Sequence, residues 1–316
     1  MGRTPEAGFG RSLIREVADP SALPASGTIS ARSLDVAAEG RRAGLGVLLD
    51  VPAGASVEET LDAQVEVATL LVAPPGVEAA EEATEHVRAH ALRQPGAGDP
   101  GRLKRVLYAC VEAPSWELSD AGAREWLAES FSPIDVDGYV VSAPDFDSGR
   151  EATAGLLAFA HELQRIALRP VVLRGVGGLW RAALAGGVAG AVGAAPGDDE
   201  IYHGMILGSV GTDAADDVVR RRLFMRHACG CGHHAEGAAP EGLEAVRAHN
   251  AWWFEREIVQ ATAVPVDRAT LLLGMRAAAA AQRREKLGLE PLPSGWTTVL
   301  DGDVAAGSES GARSDA

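Results

Sequence analysis

Apolar residues recur in short blocks at regular intervals between residues 44 and 197. The blocks are GLGVLLDVP (44–52), ATLLVAPPG (68–76), RVLYACVEAP (105–114), DGYVVSAP (137–144), RPVVLRG (169–175) and AGAVGAAPG (189–197). Each has strand length, is apolar on consecutive positions and ends in Gly or Pro or at an acidic residue beside one. That pattern suits strands buried on both faces rather than strands with one wet face. The stretches between them are amphipathic and longer. SVEETLDAQVEVA (56–68) opens with Ser56 and carries Glu59 three positions on, a capping box before a helix. GVEAAEEATEHVRAHALRQ (76–94) is acidic at its start and basic at its end, which complements the helix dipole. SDAGAREWLAESF, GREATAGLLAFAHELQRIAL and LWRAALAGGV complete the alternation.

Strands that alternate with helices require parallel pairing, so the expected class is α/β. A (β/α)8 TIM-type barrel, with irregularity tolerated, is preferred over a doubly wound open sheet because no reversal point interrupts the units. A further strand is placed in the weakly patterned first 44 residues, around SGTISARSLD. The expected organisation is an N-terminal segment over 1–44, a barrel core over 45–215, a metal-binding helical subdomain over 216–300 that completes the barrel, and a disordered tail over 301–316. In the third region HNAWWFEREIVQ and LLLGMRAAAAAQRREKLG read as helices. The tail, DGDVAAGSESGARSDA, has almost no apolar bulk.

The formal charge of −15 argues against non-specific attraction of nucleic acid over the whole surface. It leaves room for a local basic site. The dense basic run is VVRRRLFMRH, with Arg220, Arg221, Arg222 and Arg226, read either as a solvated face or as a nucleic-acid contact. No apolar run suggests a membrane span, and the first twenty residues lack the apolar stretch of a secretion signal. With three cysteines, an odd number, the expectation is a reducing, cytoplasmic setting without a disulfide framework. Cys110, inside a strand block, reads as a small buried apolar residue.

Two of those cysteines and four of the eight histidines crowd into HACGCGHHAEGAAPEGLEAVRAHN, residues 227–250. Cys229, Cys231, His234 and His249 form a two-sulfur, two-imidazole set, and Zn2+ is the ion such a set suits best. Gly230 and Gly232 let the loop turn tightly enough to aim its side chains at one point. His233 and His227 compete for the ligand position, with one of them available as a supporting group. The alternative is two reduced thiols and surface histidines in a flexible loop. Pro240 and Glu241 are placed at the start of the following helix, with Leu243, Val246, Asn250 and Trp253 as its recurring face and His249 one position off it.

These residues resemble the tRNA-guanine transglycosylases (queuine tRNA-ribosyltransferase-like proteins), barrel enzymes that exchange a guanine in tRNA for a 7-deazaguanine base. The family's zinc loop is Cys-x-Cys-x-x-Cys followed by a distant His-Asn pair. Here Cys229, Cys231 and His234 occupy the three loop spacings, with His for the third Cys, and His249-Asn250 supplies the pair. SVEETLDAQVEVATLLVAPP, RVLYACVEAP and RPVVLRGVGGLWRAALAGGVAGAVGAAP are similar to upstream barrel segments, so the likeness runs over about residues 56 to 260. It implies a barrel, structural zinc, and tRNA, a second barrel subunit or a second copy of the chain as partner.

The same resemblance exposes losses. The position of the family's nucleophilic Asp falls on Val192, and that of its base-reading Asp at or near Pro74. Val cannot form a glycosyl ester, so the family's chemistry does not transfer residue by residue. Carboxylates left near strand ends are Asp50, Glu112, Asp145, Asp147, Asp198 and Asp199; Asp50, Glu112 and Asp198 are the catalytic candidates, each weighed against an ordinary turn or capping role. Arg174 could hold a phosphate or sit in a salt bridge. Three functions follow: a catalytically silent zinc barrel that binds RNA or a partner; an active base-exchange enzyme with relocated carboxylates; and a flavin- or sugar-phosphate-binding barrel using the RGVGGLW turn.

Overall fold

The computed structural model describes residues 10–49, 55–90 and 105–298. Eight parallel strands close into a barrel in chain order: β1 (Ser12–Val17), β2 (Thr28–Ala31), β3 (Gly46–Leu49), β4 (Leu70–Pro75), β5 (Val106–Glu112), β6 (Gly138–Ser142), β7 (Val171–Arg174) and β8 (Gly190–Ala194). Helices fall between them: α1 (Leu34–Arg42), α2 (Val57–Val65), α3 (Val77–Ala89), α4 (Ser115–Ser119), α5 (Ala121–Phe131), α6 (Arg150–Ala167) and α7 (Trp180–Ala185). The fold is a TIM-type barrel. β1 pairs with β8 over Ser12–Glu16, which closes the ring and removes the open-sheet alternative.

The chain divides at Ala194 into two compact units. All eight barrel strands lie in the first, two of them within residues 1–44. The expected boundaries shift accordingly. The N-terminal segment is the start of the barrel, and residues 216–300 add no strand to it. Residues 195–215, assigned to the barrel from the sequence, carry instead a two-stranded antiparallel hairpin of the second unit, β9 (Glu200–His203) and β10 (Gly208–Gly211). That unit continues with α8 (Asp217–Arg226), α9 (Leu243–Thr262), α10 (Val266–Leu287) and the short α11 (Gly295–Thr298). The expected disordered tail, 301–316, lies outside the described residues.

Apolar side chains from seven strands fill the barrel: Ile14, Leu48, Val72, Cys110, Val140, Val172 and Val192, all buried. Cys110 is 2% exposed, the small buried residue that its strand context implies. The remaining strand, β2, contributes a polar position, because Ser30 is in register with the inward Leu48. The ring is irregular between β3 and β4, which pair only at Leu48 and Leu70. A side chain supplies what the ladder lacks. Gln64 on α2 accepts from the Val72 amide at 2.7 Å and donates to the Val72 carbonyl at 3.2 Å. The predicted capping box positions that helix: Ser56 Oγ accepts from the Glu59 amide at 3.2 Å, and Glu59 Oε2 accepts from the Ser56 amide at 3.0 Å.

Gln64 is 1% exposed, so its removal would strand two backbone groups away from water. Gln64→Ala is expected to lower the stability of the barrel unit by about 2–4 kcal/mol in urea unfolding, counting both orphaned groups and the cavity. A loss below about 0.5 kcal/mol would show that water replaces the amide there.

Candidate metal centre

The second unit begins with a short hairpin whose β9 edge needs a partner. Asn250 on α9 provides one: its Oδ1 accepts from the Tyr202 amide at 2.9 Å, and its Nδ2 donates to the Glu200 carbonyl at 2.7 Å. The adjacent His249 donates from Nε2 to the Tyr202 carbonyl at 2.7 Å. The His-Asn pair therefore does for β9 what a neighbouring strand would do. Both residues are buried, His249 fully. His249 thus belongs to the inward face of α9 with Val246, Trp253 and Phe254, whereas Leu243 is 51% exposed. The helix starts at Leu243, after Gly242 with φ 81°, and not at Pro240.

The loop before it folds as its glycines allow, with Gly230 at φ 69° and Gly232 at φ 74°. These turns bring Cys229 Sγ to 3.1 Å from Cys231 Sγ and 3.0 Å from His234 Nε2. His249 Nδ1 lies 3.4 Å from Cys231 Sγ and 3.2 Å from His234 Nε2. The donor atoms of Cys229, Cys231, His234 and His249 all lie within 4.8 Å of one another and could hold a metal ion. Backbone amides support the sulfurs: Cys231 N–H points at Cys229 Sγ (3.3 Å) and His233 N–H at Cys231 Sγ (3.5 Å).

The imidazole tautomers decide what the cluster wants. His249 spends its proton on Tyr202 O, and His234 places Nδ1 3.1 Å from Ala235 O, where only an N–H is favourable. The other nitrogen of each ring is then a bare lone pair, and the two lone pairs face each other at 3.2 Å. Two inward lone pairs beside two sulfurs are an arrangement that a cation satisfies. Protonating the ring instead is opposed by burial, which pushes His249 down to about 4. Burial also raises the Cys229 thiol to about 11. Four protein donors, all on buried or half-buried residues, surround one point. His234, not His233 or His227, completes the set; the His233 side chain is exposed, and the His227 carbonyl accepts from His203.

His203 is a feature the sequence did not flag. It is fully buried against Phe224 and Trp253, donates from Nε2 to His227 O at 3.2 Å and accepts at Nδ1 from Met205 N at 3.2 Å. Burial holds it neutral, down to about 3. It ties the end of α8 to the hairpin beneath the cysteine loop.

The other candidate residues divide. Asp198 lies beyond the barrel strands in a bidentate pair with Arg247, at 2.8 and 2.6 Å, which explains its lowered pKa. Asp145 caps α4 through the Ser115 amide at 2.6 Å, and Asp147 accepts from the Gly149 amide at 2.8 Å ahead of α6. These are structural roles. Asp50 lies outside the described residues. Glu112 alone stands on a barrel strand in the inward register, paired across β6 with Ser142, which pairs in turn with Arg174 on β7. Glu16 and Ser30 take matching inward places on β1 and β2. Ser30 and Ser142 are 1% and 8% exposed, with hydroxyls that have no hydrogen-bond partner among the described residues. On β8, Val192 is part of the apolar plug, and Ala194, the next inward residue, carries no carboxylate either. In the basic run, Arg220 and Arg221 are taken up by Asp217, at 3.1 and 2.7 Å, while Arg222 and Arg226 are exposed.

No family model and no curated protein matches the chain. Among solved structures, the YdjI aldolase from Escherichia coli K12 is similar over 81% of this chain and 93% of that one, at 12% identity and a TM-score of 0.39. No described helix is long and apolar enough to cross a membrane.

A cysteine binds a metal ion as its thiolate, so ligation through both Cys229 and Cys231 releases two protons. Affinity for a divalent probe such as Zn2+ is therefore expected to fall about 100-fold per pH unit on acidification from pH 7 to 5, measured by chelator competition. A pH-independent affinity would contradict ligation through two cysteines.

Proposed function

We propose that this chain is a divergent, catalytically silent relative of the tRNA-guanine transglycosylases, in which a structural zinc ion organises the second unit and the protein acts by binding RNA or a second barrel subunit. The observation that carries the reading is the convergence of Cys229, Cys231, His234 and His249 with both imidazole lone pairs turned inward. Two thiolates and two imidazoles favour zinc over harder ions that need oxygen ligands. Zinc would supply no reaction step here; it would neutralise the two sulfurs and hold the loop against α9. The silence follows from β8, where Val192 and Ala194 offer no group able to hold a ribose covalently.

A second reading keeps an active centre and rests on a specific feature. Glu16, Ser30, Glu112, Ser142 and Arg174 occupy inward register positions on five strands, at the C-terminal ends where barrels carry their chemistry. Glu112 is then the general base or the base-reading group.

Purified protein is expected to contain one zinc per chain and to bind tRNA or a barrel partner without incorporating labelled guanine. Incorporation that Glu112→Gln abolishes would replace the first reading with the second. Cys231→Ala is expected to lose the metal and the helical signal of α9 while the barrel unit stays folded, since binding and folding free energies are shared in such sites. Full retention of that signal without metal would remove the structural role.

A further inference from the structure

We infer that the second unit carries a phosphate-binding cleft between the end of α8 and the last three turns of α10. The cleft has a volume of about 290 Å³ and is lined by Arg226, His227, Gln282, Arg283 and Lys286, with Ala279 and Leu287 closing its apolar side. Positions 279, 282, 283 and 286 follow the helical repeat, so α10 presents them as one stripe. Arg226 approaches from the other helix, 57 residues earlier in the chain than Arg283.

Three cations thus face one concavity in a chain of net charge −15. Like charges held together cost energy unless an anion or solvent screens them. Arg283 is positioned by donating from Nη1 to the Met205 carbonyl at 3.1 Å, which leaves its other donors for the cleft. Arg226 and Lys286 form no ion pair among the described residues, in contrast to Arg220, Arg221, Arg247 and Arg276, each of which meets a carboxylate. The backbone of the cleft wall is held from below, through His203 Nε2 donating to the His227 carbonyl. Two arginine forks and an ammonium around an opening of this size match the oxygens of one or two phosphate groups better than a carboxylate. The phosphate can belong to an RNA backbone or to a free phosphorylated molecule. The assignment rests on the cleft and not on the kinship proposed above.

The test uses the full metal-loaded chain and two probes, inorganic phosphate and an RNA hairpin of about 20 nucleotides, titrated by calorimetry. The variants are Arg226→Glu and Lys286→Glu, with Arg268→Glu, exposed in the first turn of α10, as a control outside the cleft that changes net charge equally. Metal content and helical signal confirm that each variant is folded. Weakening of phosphate binding by about tenfold or more in the first two variants, but not in the control, assigns the cleft to phosphorylated small molecules. The same selective loss for RNA, with the salt dependence shallower by about 0.7 per lost contact, assigns it to a backbone phosphate. Failure of both probes to bind, or equal losses in the control, overturns the cleft. RNA bound equally by all variants would remove the cleft and leave the RNA-binding reading standing, whereas phosphate bound selectively with no affinity for RNA would do the reverse.

Discussion

The hydrogen bond from His249 Nε2 to the Tyr202 carbonyl, 2.7 Å long and shielded from water, sets the rest of the second unit in order. It fixes the proton on one side of the ring and so turns a lone pair toward the cysteines. It also docks α9 on the edge of β9, a task that Asn250 completes with the next two backbone groups. A single pair of adjacent residues therefore serves secondary structure and ligand geometry together. The cysteine loop has little regular structure of its own, and its glycines at positive φ make sense when its sulfurs have a fixed point to meet.

The two units divide the burden differently. The barrel is held by an apolar plug of one inward residue per strand, with Ser30 as the polar exception, and by side-chain substitutes such as Gln64 where the ladder thins. Its inward positions become polar toward the strand ends, yet β8 contributes only Val192 and Ala194. In the second unit the apolar core of Ile201, Ile206, Val210, Leu223, Phe224, Val246 and Leu287 is small, and buried polar groups carry much of the specificity. His203, His249, Asn250 and Glu257 are each nearly inaccessible to water, and each is hydrogen-bonded. Such networks cost heavily when half-satisfied, and that places the demand for a cation at the one point where two lone pairs converge.

The six middle strands were legible because burial on both faces writes itself as uninterrupted apolar runs. β1 was not, since SLIREV places Arg15 and Glu16 in a strand whose second half is only partly buried. The four-residue β2 carries Ser30 and Thr28 inward, so it lacked an apolar run, although its location was anticipated. The β9–β10 hairpin was hidden by Gly204 and Gly208 and by Leu207 at φ 48°, a turn that sequence pattern does not announce. The metal set was legible because rare residues at fixed spacing carry more information than common ones. The choice of His234 over His233 was a matter of loop geometry, and His203 left no mark because a lone buried histidine has no pattern. The basic run does not act as one face. Adjacent arginines on a helix point in different directions, and only Arg226 joins the distant Arg283 and Lys286.

X-ray absorption at the metal edge of the purified protein tests the central claim most directly. A mixed shell of two sulfurs at about 2.3 Å and two imidazole nitrogens at about 2.0 Å is the expected result. A shell of light atoms alone, or protein that takes up no metal when zinc is supplied during folding, would contradict it.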